Sequence, residues 1–144
     1  MEVRIDAPTF PIHPTALIQG QFLSMGTMTV LIVDDNEKVR ELMRDYLPTT
    51  VEQVYECGDG DAAFALYQQH HPDWVLMDWQ MPNTDGITAI REIIAEYPLA
   101  NICLVTSFED DFLKSEALEA GAKYFVLKRN LSELQTVLTD ELAV

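Results

Sequence analysis

The chain has 144 residues, and its 24 acidic side chains against 9 lysines and arginines give a formal net charge of −15. Hydrophobic residues make up 48% and charged residues 23%, which is typical of a globular protein with a buried core, and the length suits one domain. Binding to phosphate backbones or to anionic lipid requires a surplus of basic residues, so we expect no direct contact with nucleic acid or with a membrane.

The first 28 residues differ from the rest of the chain. Pro8, Pro11 and Pro14 are spaced through a segment without strand or helix periodicity, so we expect residues 1–28 to form an irregular, extended or disordered arm. A short helix after Pro14 is the alternative. We interpret the arm as an extension, a tag or a misassigned start, or alternatively as a segment that packs on a neighbouring protein.

From Thr29 onward the sequence becomes regular, with five short apolar runs that predict strands. They are Thr29–Val33, Glu52–Glu56, Asp73–Met77, Asn101–Val105 and Lys123–Leu127. The first, third and fourth runs are continuously apolar, which is typical of parallel strands that are covered on both faces.

Between these runs, apolar residues recur at the spacing of one helix face. In the first such segment Val39, Leu42, Met43 and Tyr46 form the face, and Pro48 ends the helix. Four further segments follow the same rule: 60–70, 87–97, 113–120 and 131–142, the last with Asn130 as its expected N-cap. Strand and helix thus alternate five times, which predicts an α/β fold with a parallel sheet and helices on both faces, in one domain over residues 29–144.

The two cysteines indicate a reducing compartment. Cys57 and Cys103 lie in or beside apolar runs without metal-type spacing, so we expect free, buried thiols. The N-terminus lacks the basic region and apolar core of a secretory signal, and no apolar run approaches the roughly 18 residues that span a bilayer. We therefore expect a cytoplasmic protein.

Polar residues follow four of the predicted strands. Asp34 and Asp35 follow the first strand, Asp78 the third, Thr106 the fourth and Lys128 the fifth. The carboxyl ends of parallel strands share one edge of a sheet, so these side chains should meet there. Three close carboxylates repel one another, and a hard divalent cation is the usual remedy. Oxygen ligands favour Mg²⁺, or alternatively Mn²⁺, over zinc.

Each of these residues also has an ordinary structural explanation. The acid pair could cap a helix, Asp78 could begin a turn, Thr106 could be a β-branched strand end, and Lys128 could be surface charge. Their joint occurrence at the right strand ends is what carries the functional interpretation.

The motifs around these residues resemble the receiver domain of bacterial response regulators. The matching segments, in family order and spacing, are 31–35 (LIVDD), 76–86 (LMDWQMPNTDG), 105–107 (VTS) and 121–128 (GAKYFVLK). The resemblance covers essentially residues 29–142. It implies a flavodoxin-like, doubly wound, five-stranded parallel sheet of strand order 2-1-3-4-5 with five helices.

The resemblance also implies a chemistry. Asp78 would be the phosphoacceptor, phosphorylated by a sensor histidine kinase or a histidine phosphotransfer protein. Mg²⁺ would be bound by Asp35, by Asp78 and by the backbone carbonyl of Gln80, and Asp34 would hold it through water or position it. The protein would be a signalling phosphoacceptor and not an enzyme, apart from self-phosphorylation from a donor and autodephosphorylation.

The family further implies a switch. Thr106 and Lys128 would bind the phosphoryl group, and Phe125 would be the switch aromatic, which turns inward with Thr106. Phe125 lacks a tyrosine hydroxyl, so its role would be packing only. The surface that responds would be the fourth helix, fifth strand and fifth helix, residues 110–142, which would bind a downstream protein target, with homodimerisation on phosphorylation as a further expectation.

Two alternatives compete with a stand-alone receiver. Lys128 is followed by Arg129 where many relatives have proline, a pattern closer to receivers of helix-turn-helix transcription regulators, so the chain could be a receiver fragment of such a regulator. A dehalogenase-type hydrolase also uses an aspartate after a strand, but that family requires a second aspartate two residues later, where this chain has Gln80.

Overall fold

The computed structural model describes residues 15–18, 21–24 and 27–140. In the N-terminal part, β1 (Thr15–Ile18) pairs antiparallel with β2 (Gln21–Ser24). The prediction of an irregular arm, or of a short helix after Pro14, is therefore wrong for these two segments. They are two four-residue runs separated by two residues that include a glycine, which is the spacing of a tight hairpin. Of the predicted arm, residues 1–14, 19–20 and 25–26 lie outside the described part of the chain.

The five predicted strands form one parallel sheet. They are β3 (Met28–Val33), β4 (Val51–Cys57), β5 (Trp74–Met77), β6 (Ile102–Thr106) and β7 (Tyr124–Leu127). Their order is β4-β3-β5-β6-β7, and every pairing is parallel. Counted within the sheet alone, this is the order 2-1-3-4-5 of a doubly wound, flavodoxin-like fold, which confirms the predicted fold class.

Five helices follow the five strands. They are α1 (Glu37–Asp45), α2 (Gly60–His70), α3 (Gly86–Glu96), α4 (Asp111–Ala120) and α5 (Glu133–Asp140). Short polar side chains at Asn36, Asp59, Asp85 and Asp110 accept hydrogen bonds from backbone N–H groups of the first turns of α1 to α4. These N-caps end the loops at the carboxyl edge of the sheet, and they satisfy donors that a helix start leaves unpaired.

The start of the last helix differs from the prediction. Residues Lys128–Asn130 form a 3₁₀ turn, and α5 begins only at Glu133, so Asn130 is not its N-cap. The apolar spacing through Leu131 and Leu134 is preserved across the turn, and both side chains are buried. Apolar periodicity locates such a helix but not its first residue, because the preceding turn buries the same face.

The sheet is covered on both faces, as its continuous apolar strands predict. Alternate residues of β3 point to opposite sides: Leu31 and Val33 pack with α2, α3 and α4, whereas Val30 and Ile32 pack with α1 and α5. Among the described residues, no helix is long and apolar enough to cross a membrane.

Both cysteines are free thiols, Cys103 being buried and Cys57 partly so, as predicted. Burial raises the pKa of Cys57 from 9.0 to about 11 and raises that of Cys103 still more. The reactive thiolate of Cys57 is therefore about a hundredfold scarcer near neutral pH than in an unfolded chain.

We expect native Cys57 to react with iodoacetamide about a hundredfold more slowly than in urea, and Cys103 not to react until the chain unfolds. Mass spectrometry of timed samples measures both rates, and the urea-unfolded protein is the control. Native Cys57 reacting at the unfolded rate would contradict the burial described above.

Candidate functional site

The sheet brings the predicted polar residues to one edge. The pairing of Val33 with Met77 sets the ends of β3 and β5 level, and Thr106 pairs with Leu127 at the ends of β6 and β7. A cleft of about 460 Å³ opens at this edge. Its lining contains the strand-end residues Asp34, Asp35, Asp78, Gln80, Thr106 and Lys128. Six of the seven predicted site residues thus share one cleft.

Lys128 links the two buried acids. Its Nζ lies 2.7 Å from Oδ2 of Asp34 and 3.1 Å from Oδ1 of Asp78. The carboxylate side chains are only 1% and 7% exposed, whereas that of Lys128 is 20% exposed. One ammonium group therefore compensates two carboxylates in a place where water screens charge poorly.

The third acid completes a cluster with a metal-binding character. Asp34, Asp35 and Asp78 each offer a carboxylate oxygen, and these atoms lie within 4.8 Å of one another. Oδ2 of Asp34 is fully buried, and within the described part of the chain its partner is the Lys128 ammonium, with no further hydrogen-bond donor. A buried oxygen with spare acceptor capacity, beside two more carboxylates, suits a hard divalent cation such as Mg²⁺.

The pKa shifts reflect this excess of negative charge. Burial raises the pKa of Asp78, and the charge of Asp34 raises it further, while the Lys128 ammonium opposes both effects. For Lys128, burial lowers the pKa, but the hydrogen bond with Asp34 and the charges of Asp78 and Asp34 outweigh burial, so its pKa is raised. Lys128 therefore stays cationic near neutral pH, and a bound cation would lower the electrostatic cost of ionising Asp78.

Backbone contacts hold the two acidic loops in place. The N–H of Asp78 donates to the carbonyl of Val33 at 2.8 Å, and Oδ1 of Asp34 accepts from the N–H of Asn36 at 2.9 Å. The side chain of Asn36 in turn caps α1 by accepting from Val39 N–H at 3.1 Å. The acid pair thus lies between a strand end and a helix start, where local hydrogen bonds restrict both residues.

Gly86 allows the loop after Asp78 to close tightly. Its N–H donates to the carbonyl of Trp79 at 2.8 Å, and a Cβ built at this position would lie 1.9 Å from the carbonyl oxygen of Asp78. Real Cβ atoms do not approach that closely, so only glycine fits this turn without moving the backbone of Asp78.

Thr106 lies in the cleft, but Phe125 does not. The buried Thr106 accepts a hydrogen bond from Phe108 N–H at 3.2 Å. Phe125 is partly buried against the core and lines a separate cavity of about 200 Å³ beside the start of α4. The predicted switch aromatic is therefore separated from the carboxylates in this conformation.

The aromatic contact beside the cleft was not predicted from the sequence. The rings of Trp79 and Phe108 meet edge to face, with centroids 5.1 Å apart and an interplanar angle of 90°. The pair joins the loop after β5 to the loop after β6. No spacing rule marks such a pair, because its members lie in loops that are adjacent only in the folded sheet.

Comparison with known proteins agrees with the fold. Residues 30–139 match the family described as the response regulator receiver domain. The chain is 40% identical over 103 residues to the uncharacterized transcriptional regulatory protein YhcZ of Bacillus subtilis, with 70% of this chain and 48% of that protein covered. It is 38% identical over 100 residues to the chemotaxis protein CheY of the same organism, with 69% of this chain and 83% of that protein covered.

A solved structure gives the same result. The two-component response regulator of the LuxR family from Aurantimonas sp. SI85-9A1 superposes with a TM-score of 0.76 at 32% identity, covering 81% of this chain and 86% of that one. The chain spans about half the length of curated transcriptional regulators such as YhcZ, but most of the length of CheY.

Asp78→Asn should stabilise the metal-free protein at alkaline pH. The pKa of folded Asp78 lies above its unfolded value, so the folded state binds the proton more tightly and loses stability as pH rises between the two values. At about pH 8 the substitution should therefore raise the free energy of unfolding by about 1–2 kcal/mol. Near about pH 4, where the folded carboxyl binds a proton more often, the gain should be smaller.

Urea unfolding in EDTA, followed by circular dichroism at both pH values, measures this difference. Glu52→Gln removes an exposed carboxylate from the edge strand β4 and should change the free energy by less than about 0.5 kcal/mol. An Asp78→Asn protein less stable than wild type at alkaline pH would show that the buried charge carries no such cost.

Gly86→Ala should lower the free energy of unfolding by about 3 kcal/mol, because its Cβ collides with the backbone of Asp78. Gly58→Ala is the matched control. Its Cβ would lie 3.5 Å from Cα of Asp35, an ordinary contact, so its cost should stay below about 1 kcal/mol. Thermal melting of both variants measures their loss of stability relative to the wild type. An equal loss in the two variants would count against a tight turn at Gly86.

Proposed function

The chain belongs to the response regulator receiver domain family of two-component systems, and on that premise we propose that Asp78 accepts a phosphoryl group from a sensor histidine kinase or a histidine phosphotransfer protein. The observation that carries this proposal is the position of Asp78. It is a nearly buried carboxylate at a strand end, 3.1 Å from the Lys128 ammonium, in a cleft that also holds two further acids.

The reaction is a simple displacement. A carboxylate oxygen of Asp78 attacks the phosphorus of a phosphohistidine, an O–P bond forms, and the P–N bond breaks. The departing imidazole takes a proton from solvent. The product is an acyl phosphate. Because the two electrons of the broken P–N bond remain on the histidine nitrogen, no atom is oxidised or reduced.

Charge neutralisation is the main contribution of the site to this step. In the proposed metal site, Asp35, Asp78 and the backbone carbonyl of Gln80 would hold Mg²⁺, with Asp34 holding it through water or positioning it. When bound, the cation would supply positive charge to the carboxylates and to the phosphoryl oxygens. Lys128 supplies a second positive charge from the protein itself, and its raised pKa keeps it protonated as the phosphoryl group arrives.

Thr106 and Phe125 carry the signal onward in this proposal. The oxygen of Thr106 uses a lone pair to accept from Phe108 N–H, so its proton can donate to a phosphoryl oxygen. Phe125 then turns inward as Thr106 shifts. The responding surface consists of α4, β7 and α5, which belong to the predicted segment 110–142, of which residues up to 140 are described. This surface binds a downstream protein or a second copy of the chain.

The share of the relatives that this chain covers favours a second candidate function, in which the same site belongs to a longer protein. The chain covers 48% of YhcZ, 52% of YxjL from Bacillus subtilis and 50% of the response regulator VraR from Staphylococcus aureus. We therefore also consider it the receiver part of a longer helix-turn-helix transcriptional response regulator. The genomic sequence after codon 144 tests this alternative, because an open frame that encodes such a domain would establish it and an immediate stop codon would refute it.

We expect the purified protein to gain the mass of one phosphoryl group when incubated with a small-molecule phosphodonor and Mg²⁺. Asp78→Asn should gain none, because the amide is not a nucleophile of this kind, and EDTA should abolish the gain in the wild type. Intact-mass measurement and hydroxylamine cleavage of the acyl phosphate are the readouts.

Asp45→Asn is the matched control for this experiment, because it removes an exposed acid at the end of α1, away from the cleft. It should be phosphorylated like the wild type. The proposal fails if the wild type gains no phosphoryl group or if Asp78→Asn gains it equally well.

A further inference from the structure

Arg40 connects the acidic loop to the edge strand of the sheet. Its Nη1 donates to the backbone carbonyl of Asp34 at 2.6 Å, and its Nε donates to Oε1 of Glu56 at 2.9 Å. The side chains of Arg40 and Glu56 are only 18% and 20% exposed. Arg44, one turn further along α1, contacts the other oxygen of the same glutamate. Two basic residues therefore share Glu56, but of this pair the structure places only Arg40 against the acidic loop.

The carbonyl that accepts the hydrogen bond from Arg40 lies where the chain leaves β3 and enters the acidic loop. The N–H of Asp34, one residue beyond the end of β3, donates to the backbone carbonyl of Cys57 at 3.1 Å, so the regular ladder ends with this residue. Its carbonyl belongs to the peptide group that joins Asp34 to Asp35. The orientation of that peptide plane sets the direction in which the chain leaves the sheet, and therefore where the exposed Asp35 carboxylate lies relative to the buried Asp34.

We propose that Arg40 is a positioning residue for Mg²⁺: by fixing the Asp34–Asp35 peptide against Glu56, it holds the two carboxylates at the spacing that the cation needs. This inference rests on the proposed function, since it concerns the same metal site. Arginine suits the task because its planar guanidinium can donate from Nε and Nη1 at once, in two fixed directions, whereas the single ammonium of lysine cannot reproduce this fork. Groups that orient metal ligands commonly affect metal affinity by about 10- to 100-fold.

Because Arg40 is positively charged, a change in Mg²⁺ affinity on its removal can distinguish a positioning role from a purely electrostatic one. A cation near the acidic cluster repels Mg²⁺, so if Arg40 acted through its charge, its removal would tighten Mg²⁺ binding. If Arg40 positions the peptide, its removal weakens binding in spite of the lost repulsion. The two roles therefore predict opposite signs for Arg40→Gln. They also differ for Arg40→Lys, which keeps the charge but loses the fork.

The test is Mg²⁺ binding to the purified chain, measured by calorimetry and by tryptophan fluorescence, to which Trp79 next to Asp78 contributes. We expect Arg40→Gln and Arg40→Lys to weaken the Mg²⁺ affinity by about tenfold. Arg44→Gln is the matched control: it removes one positive charge from the same Glu56 without a contact to Asp34, and its affinity should stay within about twofold of wild type. Melting in EDTA compares the stability of the three variants, and loss of Mg²⁺ affinity without a matching loss of stability supports positioning.

Wild-type or tighter Mg²⁺ affinity in the folded Arg40 variants overturns the inference, as does an equal loss in Arg44→Gln. If neither Arg40 variant folds, Glu56→Gln decides, because it leaves Arg40 in place but weakens its anchor. Weaker Mg²⁺ binding then supports the inference, and unchanged binding overturns it. A wild type that binds Mg²⁺ but accepts no phosphoryl group refutes the proposed function alone, and one that binds no Mg²⁺ refutes both.

Discussion

Two carboxylates, Asp34 and Asp78, lie buried side by side at the ends of neighbouring strands, and a single ammonium group, that of Lys128, contacts both. Buried charges are costly unless they are paired, and here the pairing is incomplete by one charge even before the exposed Asp35 is counted. Burial, together with the charge of Asp34, raises the pKa of Asp78, and the excess of negative charge makes the cleft suitable for a divalent cation. The chemistry of the site and its cost in stability therefore have the same origin.

Packing and local hydrogen bonds restrict the positions of these two acids. The strands that carry the acids are covered by helices on both faces, and alternate side chains of β3 contribute to two separate cores. The loops that carry the acids, 34–36 and 78–85, both end in helix N-caps. Hydrogen bonds of Asp34 and Asp78 to the neighbouring backbone restrict the chain where the carboxylates emerge. Gly86 and Arg40 each contact the backbone of one of the two buried acids. The first lets the backbone of Asp78 lie close to α3, and the second holds the peptide between Asp34 and Asp35.

The loops around the cleft also connect it to the surface proposed to carry the signal. Thr106 accepts a hydrogen bond from Phe108, whose ring contacts Trp79 next to Asp78. Two residues after Phe108, Asp110 caps α4, so a displacement of Thr106 has a short covalent route to that helix. Phe125 lies outside the cleft, beside the start of α4, in a cavity that leaves space near its ring. In the proposed function, the signal would therefore pass from the cleft through the loop after β6 and through β7, which carries Phe125.

The amino-acid sequence by itself determined the five strands, the doubly wound order implied by its motifs, and the strand-end residues of the cleft. The strands follow from apolar periodicity and helix-breaking residues, and the cleft residues follow from the polar residues after four of these strands. The strand order follows only from the resemblance of the motifs to receiver domains. Only the tertiary structure decided the β1–β2 hairpin, the start of α5 at Glu133, the ring pair of Trp79 and Phe108, and the bond from Arg40 to Asp34. Lys128 is an example of both. Its position directly after the last strand identifies it as a site residue in the sequence. Its contact with Asp34, 94 positions earlier, depends on the register of the sheet. The physical reason is that patterns report the surroundings of one segment, whereas contacts between distant loops depend on how the packed sheet aligns them.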